Sequence, residues 1–229
     1  SETYHQAKNA QKLQVMNVKN QSNIAHLLHA NQTLSESQSS EILTKYGIPT
    51  TKRYIAKTAS EAVEFADKIG YPVVLKIDSP DIPHKTEVDG IRLNRQNAAE
   101  VQAAFDEIYE NAKKHCPEAD IHGVSVQEML GEGIEVIVGV TNDPTFGRVM
   151  MFGLGGVFVE VFKDVSFRVA PITRQDAINM MEELKGYELL KGVRNKKAVD
   201  KEAIIDVLLK VSALMTDYQD EIAEIDINP

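Results

Sequence analysis

The stretch from residue 71 to residue 93 constrains the fold most. An apolar run, Val73-Val-Leu75, leads into Lys76 and breaks at Ser79-Pro80. The chain then returns through Ile91-Arg92-Leu93. Pro80 and Pro83 lack backbone donors and disfavour helix in the residues before them, so the intervening segment is a loop. Short apolar runs bounded by such breakers read as strands. The expectation is a strand–loop–strand hairpin that carries His84, Lys85 and Lys76 at one rim. A rigid frame presenting an imidazole and two ammonium groups on a polar loop suits phosphate handling better than packing.

The remainder reads as mixed α/β. Residues 1–33 are rich in Gln, Asn, Ser and Lys and are expected to be a polar tail or linker, joining this part to another in a longer chain. A short helix fits residues 22–29. Its His26 and His29 lack the further ligands that a metal site needs. Ser35-Glu-Ser-Gln38 has the reciprocal capping pattern of a helix start, with Gly47 as its stop. A strand follows at 54–56, then a helix expected to be capped by Ser60 and ended by Gly70. Asn97 opens a helix with Val101, Ala104, Phe105, Ile108 and Ala112 at helical spacing. Residues 124–129, 135–140, 149–152 and 167–169 read as strands, 173–185 and 201–216 as helices, and 222–227 as a last strand. The expected organisation is a first subdomain at 34–120 and a second at 121–229.

Four motifs occur in order: Ser79-Pro-Asp-Ile-Pro-His-Lys-Thr86, Phe152-Gly-Leu-Gly-Gly-Val-Phe-Val-Glu160, Asp164-Val-Ser-Phe-Arg-Val-Ala-Pro-Ile172 and Glu224-Ile-Asp-Ile-Asn-Pro229. Together they resemble the ATP-grasp (beta) subunit or domain of ADP-forming acyl-CoA synthetases, the ADP-forming acetate–CoA ligases. The resemblance runs from about Leu34 to the last residue. It implies an α+β ATP-grasp fold, with two subdomains sandwiching the nucleotide. It also implies an acid–thiol ligase using ATP/ADP and Mg²⁺, in which a phosphohistidine passes its phosphoryl group to ADP, reversibly. The partner it implies is a CoA-ligase (alpha) subunit or domain that itself carries a phosphohistidine.

Residue by residue, each position has a plainer reading beside the one the resemblance implies. Lys76 alone is a surface lysine at a strand end; the resemblance puts it on the nucleotide phosphates. His84 alone is a solvated loop histidine. A neutral imidazole is also a nucleophile near pH 7, and the resemblance makes His84 the phosphoryl acceptor of this chain. Lys85 offsets the charge on a phosphohistidine or is simply solvated. The family has two glycines where this chain has Asp89-Gly90, which puts a carboxylate into the loop.

Gln127, Glu128 and Met129 lie on a segment resembling the strand whose backbone holds adenine, with Met129 as an apolar lid. Glu135 is a candidate for the ribose hydroxyls, or a surface residue. Gly153, Gly155 and Gly156 permit close backbone approach to an anion, or form a tight turn. Arg168 is a candidate catalytic cation, stabilising charge in transfer, or the partner of a nearby carboxylate. Asp226 and Asn228 share a strand face with Glu224 and offer oxygens to Mg²⁺, or form a solvated edge. The family has a further aspartate later on, so metal binding is expected to be weak in a sequence ending at Pro229.

Composition narrows the partners. The chain has 229 residues, 43% hydrophobic, with a formal net charge of −9. That charge argues against nucleic acid or an anionic membrane as partner. The one cysteine, Cys116, rules out an intrachain disulfide and fits a cytoplasmic setting. Neither a signal peptide nor a membrane-spanning run is evident. No Rossmann-type glycine fingerprint opens a first helix, so CoA is expected to bind a partner in a hetero-oligomer or longer chain. Two rivals remain at this stage: a non-catalytic regulatory ATP-grasp domain of a protein lysine acetyltransferase, and an ATP-grasp ligase acting on a carboxylate directly. His84 weighs against both.

Overall fold

In the computed structural model, residues 24, 28, 33–131, 133–156, 163–192 and 198–228 are described. The helix expected at 22–29 with its two histidines, most of the tail, Glu160 and Pro229 lie outside them. The chain forms two compact units. Among the described residues, one comprises residues 33–44 and 49–131; the other comprises residues 24, 28 and 45–48 and those described from 133 onwards.

The first unit contains α1 (Glu36–Lys45), β1 (Arg53–Ala56), α2 (Ala59–Ile69), β2 (Val73–Asp78), β3 (Ile91–Arg95), α3 (Ala98–His115) and β4 (Gly123–Glu128). Its four strands form an antiparallel sheet in the order β1-β4-β2-β3. Side chains alternate across a strand, and here the two faces differ in kind. Val73, Leu75 and Ile77 of β2 and Val124 and Val126 of β4 join Ala62 and Ala66 of α2 and Val101, Phe105 and Ile108 of α3 in one core. The intervening positions, Lys76, Ser125 and Gln127, lie on the other face. Lys76 stands opposite Ser125, and Arg53 of β1 stands opposite Gln127.

The capping pattern at Ser35 forms as the sequence suggests: the Ser35 N–H donates to Gln38 Oε1 at 2.9 Å. Helix α2 is capped by Thr58 rather than Ser60. Thr58 is extended, its hydroxyl accepts from the Glu61 N–H, and Glu61 in turn accepts from the Lys57 N–H. That reciprocal pair fixes the start two residues earlier.

The second unit contains β5 (Val136–Asp143), β6 (Gly147–Leu154), β7 (Val165–Val169), α4 (Arg174–Glu182), α5 (Tyr187–Leu190), α6 (Lys201–Asp217) and β8 (Ile225–Ile227). Its antiparallel sheet has the order β7-β6-β5-β8. Met150, Phe152 and Leu154 alternate along β6 and are fully buried. Helix α4 packs on β6, β7 and α6. Residues 45–48 dock on α6: the Tyr46 hydroxyl donates to Asp217 at 2.6 Å, and Lys210 Nζ donates to the Gly47 carbonyl at 2.6 Å. The division between the two units falls near residue 131, and residues 123–128 supply an inner strand of the first sheet. No helix among the described residues is long and apolar enough to cross a membrane.

Candidate functional site

The polar face of the first sheet gathers cations around one carboxylate. Glu36, in the first turn of α1, receives Lys76 Nζ at 3.3 Å, Arg53 Nη1 at 3.3 Å and Lys85 Nζ at 3.3 Å. Gln127 Nε2 donates to the same carboxylate at 2.9 Å and to Ser125 Oγ at 3.0 Å. Three strands and the hairpin loop thus converge on the start of one helix. Next to them, the carboxylate of Asp78 is buried at the end of β2. It accepts hydrogen bonds from the Ser35 hydroxyl at 3.0 Å, the Ser37 hydroxyl at 2.7 Å and the Ser37 N–H at 3.2 Å. This network fixes the start of α1 over the base of the hairpin.

The hairpin is present as β2 and β3, and its loop is anchored rather than loose. Ile82 and Val88 are buried in the core of the unit. The Gly90 N–H donates to the Lys85 carbonyl at 2.8 Å, and the Ile77 N–H donates to the Gly90 carbonyl at 2.9 Å. His84 is exposed between these anchors, and its imidazole has no hydrogen-bond or ion-pair partner among the described residues. Lys85 beside it turns to Glu36. Asp89 takes a positive φ of 50°, a conformation glycine adopts most easily. Its carboxylate pairs with Arg92 at 2.9 Å and accepts from Asn111 Nδ2 at 3.1 Å.

The Gln127 side chain is buried and points to Glu36, so it is not free to read a base edge. Glu128 Oε1 accepts the Lys52 N–H at 2.9 Å, while Met129 and Leu130 after it are exposed hydrophobic residues. Gly153 and Gly155 are sites of close approach. A Cβ on Gly153 would lie 2.8 Å from Val165 Cγ1, and one on Gly155 would lie 2.9 Å from Glu135 Cβ. Gly156 has a φ of 60°, and its Cβ would face the Glu135 carboxylate at 3.2 Å. Glu135 and the glycine segment are therefore neighbours.

Arg168 is held by Glu183, with Nη1 at 3.0 Å from Oε2, and lies 3.9 Å from Asp176. The Glu183 hydrogen bonds raise its pKa further. Its salt-bridge reading is the one the structure displays. Asp226 and Asn228 project from one face at the end of the chain, both exposed, and Asn228 Nδ2 donates to Asp226 Oδ2 at 3.1 Å. Arg148 donates to the carbonyls of Gln219 and Ala223, fixing the approach to β8. Among the described residues no group of three or more His, Cys, Asp or Glu side chains is placed to hold a metal. A carboxylate and an amide oxygen are nevertheless hard donors of the kind Mg²⁺ takes alongside water and phosphate oxygens.

Sequence reasoning missed Glu36 and Arg53. Glu36 enters the sequence analysis only within a capping pattern, and Arg53 does not enter it at all. The available signal was period-two alternation, which places Arg53, Gln127 and Lys76 on one face once the strand order is known.

A family model described as an ATP-grasp domain matches residues 26–229. Among curated relatives, the beta subunit of ADP-forming acetate–CoA ligase I of Pyrococcus furiosus is 50% identical over 199 residues, spanning 87% of this chain and 85% of that protein. The beta subunit of ligase II of the same organism is 46% identical over 203 residues, spanning 89% and 86%. ADP-forming acetate–CoA ligase I of Archaeoglobus fulgidus is 46% identical across 90% of this chain, which corresponds to 30% of that longer protein. Among solved structures, a dinucleotide-forming acetyl-coenzyme A synthetase 1 of Candidatus Korarchaeum cryptofilum, in complex with coenzyme A and Ca-AMPCP, superposes with a TM-score of 0.82 at 48% identity. It covers 86% of this chain and 85% of that one. These relatives are ligases, so the regulatory alternative is not favoured. The chain belongs to the ATP-grasp family, among the beta subunits of ADP-forming acetate–CoA ligases.

Proposed function

We propose that this chain accepts a phosphoryl group on His84 and passes it to ADP, as the nucleotide-binding part of an ADP-forming acyl-CoA synthetase. The observation that carries this reading is the anchored hairpin loop. It exposes an unpartnered imidazole beside Lys85, with Arg53 and Lys76 gathered on the same unit. A neutral ring nitrogen attacks phosphorus as the P–N bond of a partner phosphohistidine breaks. The new P–N bond then breaks as a β-phosphate oxygen of ADP attacks, giving ATP and free His84. The cations lower the cost of bringing two anions together.

In this reading Lys76 contacts the nucleotide phosphates, and the backbone of residues 127–129 takes the adenine edge, with Met129 as an apolar cover. Glu135 and the Gly153–Gly156 segment are further candidates for the nucleotide, and Asp226 and Asn228 for Mg²⁺, which would neutralise phosphate charge. Arg168, engaged by Glu183, is left as an ion-pairing residue. A related synthetase structure is described with its phosphohistidine segment pointing towards the nucleotide-binding site, which supports a loop histidine in this role. The partner is a CoA-ligase (alpha) subunit or domain that makes the acyl phosphate and the first phosphohistidine.

The test is transfer. With the CoA-ligase partner, acetyl-CoA and inorganic phosphate but no ADP, acid-labile phosphate should accumulate on this chain. His84→Ala should remove the label and ATP formation while leaving ADP affinity nearly unchanged. Undiminished turnover by His84→Ala would overturn the proposal.

A further inference from the structure

Glu36 stands among cations in a way that ordinary ion pairing does not explain. Three positive groups, on Arg53, Lys76 and Lys85, face one carboxylate, and among the described residues none of the three is ion-paired to any other. Two positive charges are left uncompensated. All three cations stand 3.3 Å from the carboxylate, longer than the ~2.7–2.9 Å of a strong charge-assisted hydrogen bond. Oε1 alone is shared by Arg53, Lys76 and Gln127. Arg53 Nε is buried with no hydrogen-bond partner among the described residues. One carboxylate has too few oxygens and too little charge for this set of donors. A terminal phosphoryl group, with three acceptor oxygens and nearly twice the charge, matches it better.

We propose that Glu36 is a built-in, displaceable counter-ion: it occupies the cradle of Arg53, Lys76, Lys85 and Gln127 until phosphoryl oxygens take its place. The exchange needs little movement. Glu36 is at the first position of α1, and its carboxylate is 29% exposed, so a rotamer change carries it into solvent while the helix stays in place. While it is in place, Lys85 is tied to the start of α1 and the adjoining His84 is held with it. Once a phosphoryl group is bound, Lys85 is free to pair with that group next to the imidazole. Glu36 thus makes the cradle selective, because a weak monoanion gains too little to displace a carboxylate already bound. The identity of the anion as the end of a nucleotide rests on the function proposed above; the cradle itself rests on the geometry.

The experiment is calorimetric titration of the full chain with inorganic tripolyphosphate, which has the phosphates but neither base nor ribose, and in parallel with ADP. Glu36→Gln keeps the shape and removes the charge. It is expected to bind tripolyphosphate about tenfold more tightly, with a steeper loss of affinity as salt is added. Adding Lys76→Ala to Glu36→Gln should abolish the gain. If Glu36→Gln does not fold, Glu36→Asp, whose carboxylate is drawn back by one methylene, should show a smaller change of the same sign. Unchanged or weaker tripolyphosphate binding by both variants overturns the proposal, and means that Glu36 organises the cations for their ligand instead of competing with it. If tripolyphosphate binding tightens but ADP binds to neither form, the counter-ion stands and the nucleotide reading falls. If ADP binds the native chain and neither probe distinguishes Glu36→Gln from it, the nucleotide reading stands and the counter-ion falls.

Discussion

At the scale of single residues, Glu36 is where the electrostatics of the first unit concentrate. Burial alone raises its pKa. Lys76, the Gln127 hydrogen bond, Lys85 and Arg53 together outweigh that and hold it at about 2. A carboxyl whose folded-state pKa lies below its unfolded value of 4.5 stabilises the fold above that value, and its contribution is lost as pH falls towards 2. The shift is worth at most about 3 kcal/mol, and less once solvent screening of a 29% exposed carboxylate is counted. Glu36→Gln should therefore melt below the native chain at pH 7, with the gap closing between pH 4.5 and about pH 2. Thermal melts of both proteins across that range check it, and a gap independent of pH would contradict the pairing. Little of this was legible in the sequence. The capping pattern at Ser35 is local and was readable, but Glu36 meets partners 17 to 91 residues away, and no local periodicity encodes such a meeting.

At the scale of elements, the hairpin was the most legible part of the chain. The prolines, the apolar run and the return strand are all local signals, and β2 and β3 pair as those signals require. What the sequence did not disclose is how firmly the loop is held. Ile82 and Val88 are core residues inside an otherwise polar loop, and Gly90 sits where its backbone closes the turn. A Cβ there would lie 2.8 Å from Ile77 Cγ2 and 3.1 Å from the Lys85 carbonyl. Gly90→Ala should accordingly push the loop off its seat, destabilising the chain by about 1–3 kcal/mol, the usual cost of overpacking. Phosphoryl transfer should slow more than ADP binding weakens, because His84 and Lys85 ride on the loop while Lys76 is on a strand. Denaturant melts and single-turnover transfer check the two halves separately. The same locality explains the smaller misreadings. Serine is by type a slightly better cap than threonine, and the reciprocal bond from Glu61 is what selects Thr58.

At the scale of the whole molecule, the sequence motifs gave the family, while the division of the chain depended on contacts that no motif carries. Residues 124–129 read as the first strand of the second half, yet the strand formed there, β4, pairs between β1 and β2. Strand order is a long-range property, so the boundary was legible only after the sheets were known. The proposed function divides the chemistry at this scale too. The matching relatives include both beta subunits of about this length and a ligase of which this chain corresponds to 30%. In the proposed function, a phosphoryl group made at the partner's CoA site travels to the nucleotide with the loop histidine as its carrier. The expected result is that acetyl-CoA, ADP and phosphate give no ATP with this chain alone and give ATP once the CoA-ligase partner is added, with His84→Ala inactive in the mixture. A coupled ATP assay with each component omitted in turn measures this. Sustained ATP synthesis by the isolated chain would place the CoA chemistry within these 229 residues and undo the proposed division of labour.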